Sequence, residues 1–587
     1  MQIDPLLQTG FFLHISFAEN NNDNNLIKPD TKHQIKTQKW TASLDVFHQT
    51  KIISFEKQKA ICVLLGNVYS TKIDEKFAAS FQKNPLNAAK ELNGSWALVF
   101  FDLQSNCINI VTDRFNSWPV FMYKNPKNKE IILVTSLEYF PKNLRHPDWT
   151  GVGWKLINGV PHCSRTILKD IQKLNRSSIY NIDSHSIKHQ EYWKLEFTEN
   201  FSRRSVSSLK KDFSDILELA VKRRITNHFP VIISLSSGYD SPLILGVLSK
   251  YLKQDEIVCF SYELPQPKKD SDASVAKILA QKTGFSHHII PSFDGDILKL
   301  LNLNAVYGSG IANFCDEAHA WQKAHAMFPT EPPLFVGDCF VGWKTRPYRT
   351  VKDVLKYLRI GEPKELNRFS PFFPKQIIKK MIHGVESDIN TLIEGITETK
   401  MENIRDFFWF DQRLNNYLMP WRPFFWGRGF SIRYPLLDNN VIDFTKELPP
   451  DLRTEKILYR ETCHDMFPSL FSIPRAQSEN YKSDYNKELF SQKEALLRAV
   501  LSQKDSPLAE EWQYESFVDF ISKYFKQHSE IMIRSKIGKM FKRLSKKTSN
   551  VPKYYYNRYL SPTLDKTKVL LSALSILGFV FDINFKK

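Results

Sequence analysis

Residues 231–241 read Val231-Ile232-Ile233-Ser234-Leu235-Ser236-Ser237-Gly238-Tyr239-Asp240-Ser241, types and spacing that suit an anion held at the end of a strand. Residues 231–235 are a short apolar, β-branched run, the pattern of a buried strand. A small, hydroxyl-rich turn follows, and residues 242–248 open a helix with Pro242 in its first turn. Unpaired backbone N–H groups and the positive end of the helix dipole converge in such a turn, and Ser236, Ser237 and Ser241 add hydroxyl donors. Asp240 is a carboxylate placed where phosphate should go; its sensible use is to hold Mg²⁺, which bridges to phosphate oxygens. The plainer alternative is an ordinary strand-to-helix turn with capping serines. A Gly-x-x-x-x-Gly-Lys-Ser/Thr loop is absent from the sequence, which disfavours γ-phosphate transfer.

Three further places carry candidate chemistry. Residues 333–343 repeat the strand-then-Gly-Asp pattern at Gly337-Asp338, where a turn-forming aspartate is the alternative. Lys456 and Arg460 stand at i, i+4 and share a face if the segment is helical, with a solvated basic face as the alternative. His287 and His288 are adjacent on a strand-like run, so they point to opposite faces and make a poor metal pair.

The elements needed to position these residues are legible. Residues 206–224 form a helix with Leu209, Phe213, Ile216, Leu217, Ala220 and Val221 on one stripe. Strands are expected at 257–260 and 287–290 with a helix over 272–282 between them. Alternating strand and helix implies a doubly wound parallel sheet with its ligand at the carboxyl ends of the strands. Residues 1–195 instead read as β-rich, with apolar runs at 60–65, 96–101 and 107–111 separated by turns. From Phe407 the chain is helical and very aromatic.

At 587 residues and 42% hydrophobic content, a soluble globular protein of two or three domains is expected. Seven scattered cysteines without a Cys-x-x-Cys pair fit neither a disulfide framework nor a zinc site, and a cytoplasmic location is expected. No signal peptide is visible at the start. The net charge of +18 permits an acidic partner, but a lysine-rich solvated surface explains it without nucleic acid. Residues 20–25 are a polar asparagine-rich loop, and residues 534–547 form an acid-free basic segment. The apolar stretch 569–581 is too short to span a bilayer; packing on the body is expected, with membrane-surface contact as the alternative.

The segment Ser236-Ser237-Gly238-Tyr239-Asp240-Ser241 resembles the Ser-Gly-Gly-x-Asp-Ser pyrophosphate loop of the asparagine synthetase family and other AMP-forming ATP pyrophosphatases, with Ser237 in place of glycine. Other phrases follow in the family's order over most of residues 60–480. Gly66-Asn67-Val68-Tyr69, residues 92–102 and Asp113-Arg114-Phe115 with Pro119 resemble its glutaminase half. The Gly337-Asp338 segment, Ile432 to Asp438 and Glu455 to Arg460 resemble its synthetase half. The resemblance implies an N-terminal glutaminase-like (Ntn-type) β-sandwich over 1–200 and an ATP-pyrophosphatase domain over 205–500; beyond its reach a helical basic extension is expected over 501–587. It implies ATP and Mg²⁺ as cofactors, ATP and pyrophosphate on residues 236–241, Asp240 and Asp338 as metal carboxylates, and Lys456 with Arg460 as the catalytic cations. Arg433 and Asp438 are expected to form a structural ion pair.

This sequence departs from the family in ways that shape the expected reaction. Gln2 stands where family glutaminases carry their nucleophilic cysteine, and Leu65 where they usually carry asparagine, so the first domain is expected to be catalytically inactive. Cys339 and Ser431 replace family glutamates. The expected activity is adenylation of a small-molecule or peptide carboxylate, with attack by an amine or ammonia. Lasso-peptide macrolactam cyclases and β-lactam synthetases are the ring-closing alternatives, and a non-catalytic scaffold is the alternative of another class. An acidic peptide or a leader-binding protein is the macromolecular partner this reading would call for. The tyrosine–glutamate pair of the β-lactam type is not found where it is sought: the loop before Asp338 has no tyrosine, and residues 421–433 contain no acid.

Overall fold

The computed structural model describes residues 8–502 apart from 18–32, 126–128, 163, 184–185, 264–269, 340–347, 359, 361, 371 and 477–484, with isolated positions between 514 and 574. The asparagine-rich segment 20–25, the basic segment 534–547 and nearly all of the apolar segment 569–581 lie outside the described residues.

The alternating apolar runs of the first 190 residues fold as two six-stranded antiparallel sheets. One is centred on Phe11–Phe17 paired with Trp40–Val46 and Ile131–Val134; the other on Gly94–Asp102 paired with Ala60–Val68 and Cys107–Thr112. Leu13, Val63, Val99 and Leu133 come from the two sheets into one core, as facing sheets with a two-residue side-chain period require. Helices Glu75–Lys83 and Pro85–Glu91 cover the second sheet's other face through Phe77, Phe81 and Ala89 against Phe100.

The second half is built on a five-stranded parallel sheet in the order Ser286–Pro291, Ile257–Glu263, Val231–Ser234, Pro333–Phe335, Ser431–Arg433. The first three strands in sequence step outward in one direction, and the chain then returns to the opposite side of Val231–Ser234. That reversal is a topological switch point, where an open α/β sheet leaves a crevice beyond its strand ends. Helix Val206–Lys222 buries Leu209, Phe213, Leu217, Ala220 and Val221, the stripe its spacing predicts. His287 bonds Ser261 Oγ through Nε2 at 2.9 Å while His288 is exposed, as adjacent strand positions dictate. The aromatic region contains two π-helical stretches, Trp409–Leu418 and Arg422–Trp426, a rare geometry that recurs at functional sites.

The two halves share a core: Phe12 and Trp154 belong to the same apolar cluster as Ile232, Leu334 and Phe430. Arg114 donates to both carboxylate oxygens of Asp443 at 2.9 Å, and Gln49 Nε2 to the Phe430 carbonyl at 2.9 Å. The expected Arg433–Asp438 pair is replaced by another. Asp438 takes its charge partner from the Val206–Lys222 helix end, where Arg224 Nη1 donates to Oδ2 at 2.6 Å, and from Asn93 Nδ2 at 3.0 Å. Arg433 donates to Ser431 Oγ at 2.7 Å instead. Only four residues separate Arg433 from Asp438, but the Pro435–Leu437 turn between them redirects the chain, and sequence proximity gives no contact.

Candidate functional site

The Val231–Ser234 strand ends in the predicted turn, and helix Asp240–Leu248 begins at Asp240. Ser241 folds back over the turn: its hydroxyl accepts the Ser236 N–H at 2.9 Å and lies 3.0 Å from Ser236 Oγ. Gly238 N donates to Ser236 Oγ at 3.3 Å. Ser237, the departure from the family motif, is tied to Asp272 at the start of the next helix. Both its N–H (2.8 Å) and its hydroxyl (2.5 Å) donate to Asp272 Oδ1. Tyr239 stacks on Phe471 at 5.4 Å and lies under Arg475, whose guanidinium carbon is 3.1 Å from the ring centroid.

Lys456 reaches the start of that helix from 216 residues away in sequence. Its Nζ donates to Asp240 Oδ2 at 2.9 Å and Oδ1 at 3.1 Å. Burial alone would lower the Lys456 ammonium, but the Asp240 carboxylate outweighs it and holds the lysine above its usual range, so it stays charged. Lys456 is not inside an amphipathic helix, as its i, i+4 spacing to Arg460 implied. It precedes helix Ile457–Met466 in the left-handed region (φ 61°), directly after Glu455 at φ 54°. Two successive non-glycine residues in that region cost roughly 1–3 kcal/mol each, and such strain clusters at functional positions. Lys456 is thereby aimed at Asp240, whereas Arg460 is exposed and lies 5.1 Å from the Tyr239 ring centroid. The structure brings Lys456 and Asp240 together and leaves Arg460 at the rim.

Gly337 and Asp338 follow the neighbouring strand on the far side of the switch point. A Cβ on Gly337 would stand 2.9 Å from Asp240 Cβ and 2.9 Å from Ser241 N, so the two strand-end loops are in direct contact. Gly337→Ala is expected to push the loops apart and weaken ATP-analogue binding by roughly 10-fold, about 1.4 kcal/mol, read by titration calorimetry. An unchanged affinity would show that this contact does not shape the site. Asp338 is buried, and both its oxygens accept from Arg422: Nε to Oδ2 at 2.7 Å and Nη2 to Oδ1 at 2.6 Å. Arg422 opens the Arg422–Trp426 π-helical turn and lies over the Trp426 ring at 3.6 Å.

Behind Arg422 stands Glu317, which precedes helix Ala318–Met327. Burial pushes its carboxyl up to about 7, against a hydrogen bond from Tyr262 and the positive charge of Arg422. A tyrosine–glutamate pair therefore exists, supplied by the end of the Ile257–Glu263 strand and a helix start rather than by the loop before Asp338 and residues 421–433. Tyr262 had a signal, since it follows the predicted strand 257–260. Asp272 opens the predicted helix 272–282, whereas Glu317 and Arg422 had no signal, because no local pattern marks residues that converge only through the fold.

A parallel sheet with a strand–turn–helix at its switch point, faced by a lysine and a second carboxylate, defines an α/β domain with a crevice at its strand ends. Residues 212–318, which include that turn, match the asparagine synthase family. It is 21% identical over 253 residues to amidase chyE of Penicillium rubens, covering 40% of this chain and 36% of that one. It is 26% identical over 191 residues to a Methanocaldococcus jannaschii protein named for glutamine-hydrolyzing asparagine synthetase, covering 31% of this chain and 36% of that one. The matches thus span little more than a third of either relative's length. Among solved structures, an allosteric regulatory enzyme of purine biosynthesis aligns with 60% of this chain and 73% of its own at 10% identity, with a TM-score of 0.20.

Proposed function

We propose that the chain is an ATP-dependent, AMP-forming amide ligase of the asparagine synthetase type that does not hydrolyse glutamine itself. The observation that carries this reading is the Asp240–Lys456 pair at the mouth of the Ser236–Ser241 turn. A hydroxyl-lined helix N-terminus, a carboxylate and a permanently charged lysine are what a triphosphate split between its α and β phosphorus atoms requires. The turn cradles the leaving pyrophosphate, with Tyr239 flanking it. Asp240 is only partly buried and presents carboxylate oxygens, the donor type that Mg²⁺ takes, so the residues fit that ion. Bound there, Mg²⁺ supplies charge neutralisation on the phosphates.

A substrate carboxylate oxygen attacks the α-phosphorus, the bond to the β-phosphate oxygen breaks, and pyrophosphate leaves with its developing charge on Lys456. An amine nitrogen then attacks the acyl carbon, a proton passes to a base, and AMP departs. Glu317 is the buried group suited to accept that proton. This favours an amine held inside the fold, as in ring closure, as the second reading; the carboxylate is a small molecule or a peptide. We further propose the division into 1–200, 205–500 and 501–587, with the first unit an inactive glutaminase-like shell docked through Arg114–Asp443. Among the described residues no helix is long and apolar enough to cross a membrane.

The test is ATP–pyrophosphate exchange with aspartate, small β-amino acids and acidic peptides. Absence of exchange with all of them would sink the ligase reading in favour of a scaffold. Glu317 yields a separate expectation. Its carboxyl must be ionised to accept a proton, so amide formation should rise with pH through about 7. Glu317→Gln should lower amide formation by ~10²-fold and flatten that rise while exchange continues.

A further inference from the structure

Two carboxylates face the switch point, and each is held by a different kind of cation. Asp240 is met by Lys456, a flexible point charge on a strained turn, and both side chains retain about a quarter of their exposure. Asp338 is met by a planar guanidinium fork, one N–H to each oxygen at 2.6 and 2.7 Å, with only 6% of the aspartate side chain and 12% of the arginine exposed. The fork is locked from behind. Arg422 lies flat on Trp426 at 3.6 Å, and the Gly427 N–H donates to the Arg422 carbonyl at 2.7 Å, closing the π-helical turn that puts residues 422 and 426 on one face. A lysine can leave its carboxylate for a phosphate at little cost, because its ammonium carries no fixed geometry. A bidentate, buried arginine cannot, because withdrawing it strands two opposite charges out of water.

We infer that Arg422, not a metal ion, is the resident cation at Asp338, so that nucleotide binds here with a single divalent ion at Asp240. This rests on the ATP reading above. Arg422 is a positioning residue: it neutralises Asp338 permanently and keeps the Gly337-Asp338 loop pressed against Asp240. The four charges of Asp240, Lys456, Asp338 and Arg422 cancel, so one divalent ion already tips the site positive for a triphosphate.

Equilibrium dialysis of the full chain with Mn²⁺ and a non-hydrolysable α,β-methylene ATP analogue tests this. The ratio of protein-bound Mn²⁺ to protein-bound nucleotide is expected to be about one. Asp338→Asn should leave it at one, Arg422→Lys should also keep it at one, and Arg422→Met should raise it towards two by uncovering Asp338. A ratio of two in the unaltered chain that falls to one in Asp338→Asn would overturn the inference and leave the ATP reading intact. Failure of the unaltered chain to bind the analogue at all would overturn both. If Arg422→Met does not fold, the unaltered chain and Asp338→Asn still decide the matter, since neither removes the arginine.

Discussion

Asp240→Ala is expected to reduce ATP–pyrophosphate exchange by at least ~10³-fold, the scale of losing a preorganised charge at a phosphoryl centre. The substitution removes the carboxylate proposed to hold the metal and leaves Lys456 without its partner, so the proposed metal contact and the lysine's alignment go together. Stability should change little, because the pair is partly exposed and such pairs contribute about 1 kcal/mol or less. A near-native melting temperature with abolished exchange therefore separates a chemical role from a structural one. Retention of full exchange would mean that the turn only caps its helix and that the ATP reading is wrong.

The largest expected effect on stability lies elsewhere, at Asp438. Its carboxylate is fully buried and accepts from Arg224 at 2.6 Å, Asn93 at 3.0 Å and the Asn440 N–H at 3.0 Å, with Arg223 at 3.5 Å. It thus joins the antiparallel half, the Val206–Lys222 helix end and the Asn439–Lys446 helix at one point. Asp438→Ala should cost about 3–5 kcal/mol, because it leaves the buried Arg224 guanidinium without its counter-charge. Burial pushes the Asp438 carboxyl up, but Arg224, Asn93 and Arg223 together more than reverse this and hold it below the usual carboxylate range. A folded value below the unfolded one, about 3.9, means that the contribution is complete above that pH and is lost as pH falls through the folded value. Urea midpoints measured from pH 7 down to pH 3 should show this acid loss in the unaltered chain and a weaker one in Asp438→Asn. Equal midpoints for Asp438→Ala and the unaltered chain would remove this joint from the account.

The strand-turn-helix at 231–241 was legible because its signal is local: a β-branched run, small hydroxyl residues and a proline in the first helical turn describe one continuous piece of backbone. The stripe on Val206–Lys222 was legible for the same reason, since helical spacing alone decides which side chains share a face. Lys456 was found through resemblance, but its spacing to Arg460 misplaced it. Helical periodicity assumes helical backbone, and Glu455 and Lys456 are left-handed. The partners that Asp438 has in the fold carry no sequence signal, because Arg224 and Asn93 are 214 and 345 residues away, distances over which no sequence pattern operates.

By itself the sequence determined the parallel-sheet half, the strand-turn-helix with Asp240 at its helix start and the β-rich first half. These follow from residue type and short-range period. Only the tertiary structure decided which cation each carboxylate receives, that Glu317 and Tyr262 meet, and that Arg422 is presented on a π-helical turn. Charge pairing and desolvation depend on which distant segments the sheet order brings to one switch point. That order is set by how apolar faces from the whole chain pack, not by any run of neighbouring residues.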